Sequence, residues 1–192
     1  MKKRNFIFFL IFLVFLCFFL FFYFKDKEIR ELNKNLPQGV YFEKRGKDLF
    51  LVNKLDGYEL KIPGSWGGVR EVRYVEGELS FQAKFTDDWV AVNKIILQDQ
   101  KITIDEFVTQ KIKALKEGRE VKGKHFSPFV KIEGKEVLNG KKIIKMIDKD
   151  PIIGECFVYY LKQKNLIYEI YSDFSENSVR LIIFNFRLLY ES

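Results

Sequence analysis

The chain has 192 residues, a formal net charge of +7 and two cysteines. This length supports one domain with a hydrophobic core, whereas two cysteines are too few for a small disulfide-stabilised scaffold. Without the three basic residues at positions 2–4 the charge is +4, which is mild, and no motif interleaves aromatic and basic residues, so we expect no nucleic-acid partner.

An apolar segment without any charged residue extends from Phe6 to Phe24. At about 1.5 Å per residue, a helix of this length spans the ~30 Å hydrocarbon core of a bilayer. Three basic residues at positions 2–4 precede it, whereas the charges of Lys25–Glu28 cancel one another. The positive-inside rule then predicts a cytoplasmic tail (1–5), a single-pass signal anchor (6–24) and an extracytoplasmic domain, at the cell surface or in the periplasm.

Cleavage of this segment is the alternative interpretation. A signal peptide carries small residues at its cleavage site, whereas Tyr23–Glu28 are bulky or charged. A lipoprotein signal needs small residues before the modified cysteine, and Cys17 instead follows Val14–Leu16. We therefore favour an uncleaved anchor, with a cleaved form left as the alternative.

Residues 25–38 are predicted to form a stalk that continues the anchor helix, because Ile29, Leu32 and Leu36 recur at helical spacing. The folded domain is expected over 39–192. Alternating apolar residues between turn signals predict its first strands. Two pairs of these strands are predicted as hairpins: Val40–Glu43 with Leu49–Asn53 around Lys44–Lys47, and Val69–Val75 with Glu78–Phe85 around Glu76-Gly77. The other strands are Tyr58–Ile62 and Trp89–Leu97.

The clearest helix is predicted over Ile104–Glu117, where Thr103 and Glu106 form a capping box and the apolar residues form one stripe. Gly118 suits the left-handed position that follows a helix. Two hairpins and a final helix complete the expected elements. They are Lys135–Leu138 with Lys141–Ile147 around Asn139-Gly140, Glu155–Leu161 with Leu166–Tyr171, and a helix from Glu176, with Ser175 as its candidate N-cap, that becomes extended near Phe186–Leu189. Short hairpins and amphipathic helices predict an α+β fold, with an antiparallel sheet sandwiched by helices.

No residue set in the sequence matches a known catalytic or metal-binding pattern. His125 is the only histidine and has no partner set for zinc, and no nucleotide-binding glycine motif occurs. The aspartate pairs Asp87-Asp88 and Asp148-Asp150 offer two carboxylates each, which favours solvated turns over calcium sites. Trp66-Gly67-Gly68 is interpreted as a turn, and Cys156, in an apolar strand, as a buried thiol. We expect no catalytic residue, cofactor or metal.

One segment is markedly basic. Residues 111–145 contain eleven Lys or Arg against four Glu. Such a face near a membrane suits anionic headgroups, cell-wall polymers or an acidic partner protein, although solvated lysines that discourage aggregation explain the same pattern. The candidate binding residues are Lys111, Lys116, Arg119, Lys122, Lys124, Lys141 and Lys142.

The segment Gly57–Trp66 reads G-Y-E-L-K-I-P-G-S-W and resembles the opening motif of PsbP-like domains. In that family an amphipathic helix follows several strands, then come Gly-Lys hairpins, as at Asn139–Lys141, and two aromatic strands, as at Val158–Tyr160 and Ile167–Tyr171. The resemblance covers roughly 56–189. Its last matching feature is a short helix that leads into a phenylalanine-containing end, as at Ile183–Arg187. It implies an antiparallel sheet between helices. We do not assign to this chain the cation-binding residues of that family or the role of its photosynthetic members in photosystem II.

These features predict a membrane-anchored, extracytoplasmic binding or assembly module without catalytic activity. Its expected partners are the membrane itself and an envelope protein or another anionic surface. Two alternatives stay open. One is an envelope hydrolase with an unrecognised site, for which Ser127 near His125 is a starting point. The other is a structural subunit that self-associates through anchor and stalk.

Overall fold

The computed structural model describes residues 3–117, 131–138, 141–150, 154–173 and 175–189, with side chains for 11–20, 27–117, 131–137, 142–147, 156–173 and 175–189. Within these ranges lie three α-helices, a short 3-10 helix at Gly64–Trp66 and eleven strands. In chain order they are α1 (Lys3–Asn33), β1 (Val40–Arg45), β2 (Asp48–Asn53), β3 (Tyr58–Ile62), β4 (Val69–Val75), β5 (Glu78–Ala83), β6 (Trp89–Ile96), α2 (Ile104–Lys116), β7 (Lys131–Leu138), β8 (Lys141–Asp150), β9 (Gly154–Gln163), β10 (Leu166–Ser172), α3 (Glu176–Phe184) and β11 (Phe186–Leu188).

Helix α1 is 31 residues long and runs unbroken from the apolar segment into the predicted stalk. The predicted continuation of the helix through residues 25–38 is thus confirmed as far as Asn33. The large apolar side chains between Ile11 and Leu20 are 41–73 % exposed. Among the described residues, no helix has the length and apolar character that crossing a membrane requires.

The last turns of α1 pack onto the domain. Leu32 is only 8 % exposed and belongs to the main core. The Asn33 side chain donates to the Phe42 carbonyl at 2.8 Å and accepts from the Phe42 N–H at 2.6 Å, so it pairs with β1 as another strand would. Lys84 Nζ lies 3.1 Å from Glu28 Oε1. From Glu28 onward the predicted stalk is therefore part of the folded domain.

A small antiparallel sheet has the strand order β1-β2-β3-β11. The predicted β1–β2 hairpin is confirmed, with Arg45 opposite Asp48 and a left-handed Gly46 (φ 64°) in its turn. The last strand, β11, places Phe186 opposite Leu60 of β3. This confirms the prediction that the chain becomes extended after the final helix.

A larger antiparallel sheet has the order β4-β5-β6-β10-β9-β8-β7. It contains all the other predicted hairpins, including β7–β8, in which Leu138 lies opposite Lys141. The Asn139-Gly140 turn itself lies outside the described residues. At the centre of the sheet, β6 pairs with β10, so that Val92 lies opposite Ile170. This long-range pairing joins the two halves of the chain.

The two sheets and the helices form three layers. On one face of the large sheet, Ile104, Val108 and Leu115 of α2 pack against apolar residues of β8, β9 and β10. The other face packs against the small sheet, α3 and the end of α1 around the main core. The α+β class and antiparallel pairing are confirmed. The strands divide into two sheets, however, where the sequence predicted one sheet between helices, because β1–β3 turn back to cover the large sheet.

Local signals explain the ends of the helices. The capping box predicted for α2 is present: the Thr103 N–H donates to Glu106 Oε2 at 2.7 Å, and the Glu106 N–H donates to Thr103 Oγ1 at 3.2 Å. Ser175 precedes α3 as predicted, but its hydroxyl lies 3.1 Å from Ser178 Oγ and makes no capping hydrogen bond. Gly118, the expected residue after α2, lies outside the described residues.

Candidate binding surfaces

The predicted basic face is divided by the fold. Lys111 is 7 % exposed and pairs with buried Glu169 under α2, so it is not part of an exposed face. The reason is that Lys111 lies on the same side of α2 as Val108 and Leu115, which face the sheet. The sequence interpretation of Lys111 as a surface residue is corrected accordingly.

The other predicted residues have different environments. Lys116 is exposed at the end of α2. Lys142 pairs with Asp105, which also pairs with Lys135. Hydrogen bonds from Lys135 and, to a smaller extent, from Lys142 lower the pKa of Asp105 to about 2. Much of the described charge is therefore neutralised locally. Arg119, Lys122, Lys124 and the Lys141 side chain lie outside the described residues.

A buried polar network lies between α2 and the large sheet. Glu169 of β10 accepts hydrogen bonds from Lys111, from Asn93 Nδ2 at 2.8 Å and from the Tyr160 hydroxyl at 3.0 Å. Burial alone raises the pKa of the Glu169 carboxyl, but the Lys111 charge and the three hydrogen bonds outweigh it and lower that pKa. The network holds α2 on the sheet with its charges satisfied.

A second buried cation lies near α3. Lys145 of β8 is 4 % exposed, and its ammonium contacts Glu133 and lies 2.7 Å from Glu176 Oε1. Burial opposes this charge, but the hydrogen bonds to Glu133 and Glu176 prevail and raise the pKa of Lys145. These contacts tie the N-terminus of α3 to β7 and β8.

The remaining candidates from the sequence take structural positions. Asp87 has a positive φ of 60° and pairs with Arg70, and Cys156 is buried as predicted. His125, Ser127 and the side chains of Asp148 and Asp150 lie outside the described residues. No group of three or more potential metal ligands occurs among the residues that the structure describes.

The predicted Trp66-Gly67-Gly68 turn is confirmed, and it ends the short 3-10 helix with two left-handed glycines, at φ 68° and 106°. A Cβ on Gly67 would overlap the Phe85 ring. The turn holds the end of β5, since the Lys84 N–H donates to the Gly68 carbonyl at 3.0 Å, and the Lys84 side chain reaches Glu28 of α1.

We expect Gly67→Ala to destabilise the domain by about 1–2 kcal/mol, because the left-handed backbone disfavours a Cβ and the Phe85 ring must move. Gly64→Ala is the matched control, since a Cβ there has open space around it. Urea unfolding of both variants measures the difference. Equal midpoints for the two variants would show that the turn tolerates a side chain.

The two ends of the domain differ. At the helix-side end, an open pocket of about 320 Å³ lies between α1 and the small sheet, and a second of about 390 Å³ lies between α1 and β4. Glu28 contributes to both pockets and forms ion pairs with Lys84 and, at 4.0 Å, with Lys44. This end is thus arranged around the emerging helix.

At the far end, an open pocket of about 680 Å³ lies between the β2–β3 turn and the neighbouring strands. Lys94 Nζ lies 3.6 Å from Asp56 Oδ1 and donates to the Leu55 carbonyl at 3.1 Å. Tyr74 and Ile96 lie beside this pair, and Ile96 is 66 % exposed. The pocket combines apolar side chains with a partly buried ion pair, which suits a protein or peptide segment of mixed character.

Neither the buried network nor the far pocket is predicted from the sequence. A signal existed for the network: Glu169 shares the face of β10 with Ile167 and Tyr171, so strict alternation places a carboxylate in an apolar row. Asp56 lies in the β2–β3 turn, and only the pairing of distant strands brings Lys94 next to it.

No model of a known protein family matches the chain, and no curated protein has a similar sequence. The resemblance to PsbP-like domains therefore depends on the sequence features alone.

Proposed function

We propose that this protein is a membrane-anchored, non-catalytic module that binds or assembles an envelope partner outside the cytoplasm. One observation carries the proposal: α1 exposes its apolar side chains between Ile11 and Leu20, while its last turns are held by the domain. A long apolar helix surface of this kind needs lipid or another protein to cover it.

The arrangement of the domain supports a binding role. The buried charges described above are paired within the protein, and Glu169 and Lys145 hold helices in place. The open pocket at the far end lies away from α1, at the opposite end of β4 from Val69. A domain held at the membrane would present this pocket to a partner.

We also propose a PsbP-like fold for the domain. The residues that carry the motif are structural, because Tyr58 and Trp66 are 0 % and 2 % exposed and Pro63 is buried as well. Tyr58 stacks on Phe186 with ring centroids 5.1 Å apart. Such residues support a shared fold and carry no information about a shared ligand.

Membrane anchoring is tested with the intact protein in cells. We expect the wild type to stay in the membrane fraction after carbonate washing, and the double variant Phe15→Asp/Leu16→Asp to leave it. Each aspartate at the centre of a membrane helix costs about 2.5–3.5 kcal/mol. Phe15→Ala/Leu16→Ala is the matched control and should stay membrane-bound. A wild-type protein released by carbonate would contradict the anchor.

The binding role is tested by in-cell crosslinking from a photoreactive residue at Ile96, in the far pocket. We expect one adduct of defined mass with a different envelope protein. A photoreactive residue at Leu181, which is 48 % exposed on α3, serves as the control and should not form it. Adducts of only the mass of a dimer would instead support a self-associating structural subunit and contradict the binding module.

A further inference from the structure

The helix-side end of the domain lies at a definite height along α1, and two independent contacts fix that height. Lys44 of β1 is level with Glu28, and Phe42 is level with Asn33. The five residues of helix between Glu28 and Asn33 rise about 7.5 Å, and the two residues of strand between Lys44 and Phe42 span about 6.6 Å. The two values agree, so the end of α1 runs alongside β1 in the opposite direction.

The β1–β2 turn can be compared in height with the end of the apolar segment of α1. Phe24 lies four helical residues before Glu28, which is about 6 Å. Gly46 lies two strand residues beyond Lys44, which is also about 6–7 Å. The β1–β2 turn therefore reaches the level at which the apolar segment of α1 ends. If α1 is embedded up to Phe24, this turn lies within the headgroup layer, which is about 5–7 Å thick.

The end of β5 approaches the same level. Lys84 pairs with Glu28 at 3.1 Å, and Phe85, the next residue, lines the same pocket as Glu28 and Lys44. Phe85 is 73 % exposed, although it is a large apolar side chain. Aromatic rings beside cationic side chains are favoured at the boundary between lipid and water. We name Lys27, Lys44, Lys47, Lys84 and Phe85 the rim.

The rim carries surplus positive charge. Most of its described neighbouring carboxylates are paired: Glu28 with Lys84 and Lys44, and Asp48 with Lys61 at 2.7 Å. Glu31, which follows Lys27 by one helical turn and lines a pocket with Lys84, is the exception. Glu43 and Glu59 both pair with Arg45. Among the described side chains, Lys27 and Lys47 have no carboxylate partner, and both are exposed. Two such cations at the height of the headgroups are complementary to anionic lipids.

We propose that the rim docks onto the anionic headgroups of the bilayer that holds α1, with Phe85 at the lipid–water boundary. This inference rests on the proposed membrane anchor and adds a second, surface contact to it. The contact fixes the tilt of the domain and keeps the far pocket pointing away from the bilayer. Because β4 alone spans about 20 Å between Val69 and Val75, the pocket lies well clear of the lipid.

The test uses the full chain, with Cys17→Ser, in vesicles of phosphatidylcholine with or without phosphatidylglycerol. An environment-sensitive fluorophore is attached at Phe85→Cys or at Val75→Cys. These two positions are matched, since the native side chains are 73 % and 71 % exposed at opposite ends of the same pair of strands. We expect a blue shift and loss of iodide quenching at position 85, largest in vesicles with phosphatidylglycerol, and neither effect at position 75.

Lys47→Glu tests the charge directly. It should remove the extra shift that phosphatidylglycerol causes at position 85, because each lysine near an anionic surface changes the docking equilibrium about fivefold. Lys101→Glu, an exposed lysine distant from α1 in the β6–α2 connection, is the matched control and should have no effect.

The outcomes separate this inference from the anchor. Protein that resists carbonate but is equally quenched at positions 85 and 75 overturns the rim and leaves the anchor intact. Equal shifts with and without phosphatidylglycerol overturn the assignment to anionic headgroups. Protein that carbonate releases from vesicles overturns the anchor, and the rim proposal fails with it.

Discussion

Replacing Glu169 with glutamine is expected to destabilise the domain by about 3–5 kcal/mol, because the buried Lys111 ammonium then lacks this carboxylate in a site that water does not reach. Asn93 and Tyr160 lose the charged acceptor of their hydrogen bonds as well. Urea unfolding, followed by tryptophan fluorescence, measures the change in the free energy of unfolding.

Two variants sharpen this prediction. In Lys111→Met/Glu169→Leu both charges are replaced by apolar side chains, and the loss should be much smaller than in the single variant. Glu71→Gln removes a carboxylate that pairs with Arg73 on the surface, where it is 45 % exposed, and should change stability by less than about 1 kcal/mol. A single variant as stable as the wild type would show that Glu169 is not held as described.

The effect of Glu169 should depend on pH. Its folded-state pKa lies below the ordinary value of 4.5, so the carboxylate contributes stability above that value and loses it as pH falls through the folded pKa. Destabilisation by Glu169→Gln should therefore be largest near neutral pH and shrink in acid. A pH-independent difference would contradict the ion pair as its cause.

Replacing Phe186 with alanine is expected to cost about 3–5 kcal/mol. The ring is 3 % exposed, and its centroid lies 5.1 Å from that of Tyr58 and 5.3 Å from that of Tyr168. Phe186 also lies opposite Leu60, so its loss weakens the attachment of the last strand to the small sheet. Thermal and urea unfolding provide the measurement.

Phe184→Ala is the matched control, because it removes the same side chain two residues earlier, where the ring is 55 % exposed. It should cost well under half as much as Phe186→Ala. Similar losses for the two variants would mean that the end of α3, and not the aromatic cluster, governs stability in this region.

Local features of the fold could be predicted from the sequence, since they depend on neighbouring residues. Thr103 and Glu106 are three positions apart and specify the start of α2 by themselves. The β1–β2 hairpin follows in the same way from two apolar strands around Gly46. The two-sheet division could not be predicted, because the pairings of β6 with β10 and of β3 with β11 join strands distant in sequence.

The candidate surfaces show the same limit. Lys111 falls on the apolar stripe of α2, but its charge suggested exposure, and only the partner Glu169 on a distant strand makes burial tolerable. The height of Lys44 relative to Glu28 likewise depends on packing between α1 and β1. Spacing along the chain shows which residues share a face, whereas the partner of that face comes from elsewhere.

The pairing of β6 with β10 also determines the order in which the protein can fold. Until Leu166–Ser172 has been synthesised, Trp89–Ile96 has an unpaired edge, and the small sheet lacks its last strand until Phe186–Leu188 follows. Such long-range contacts close slowly, because chain entropy must be lost before they form. The domain therefore completes its core only after Phe186–Leu188 has emerged from the ribosome. During that interval the exposed strand edges need protection from aggregation.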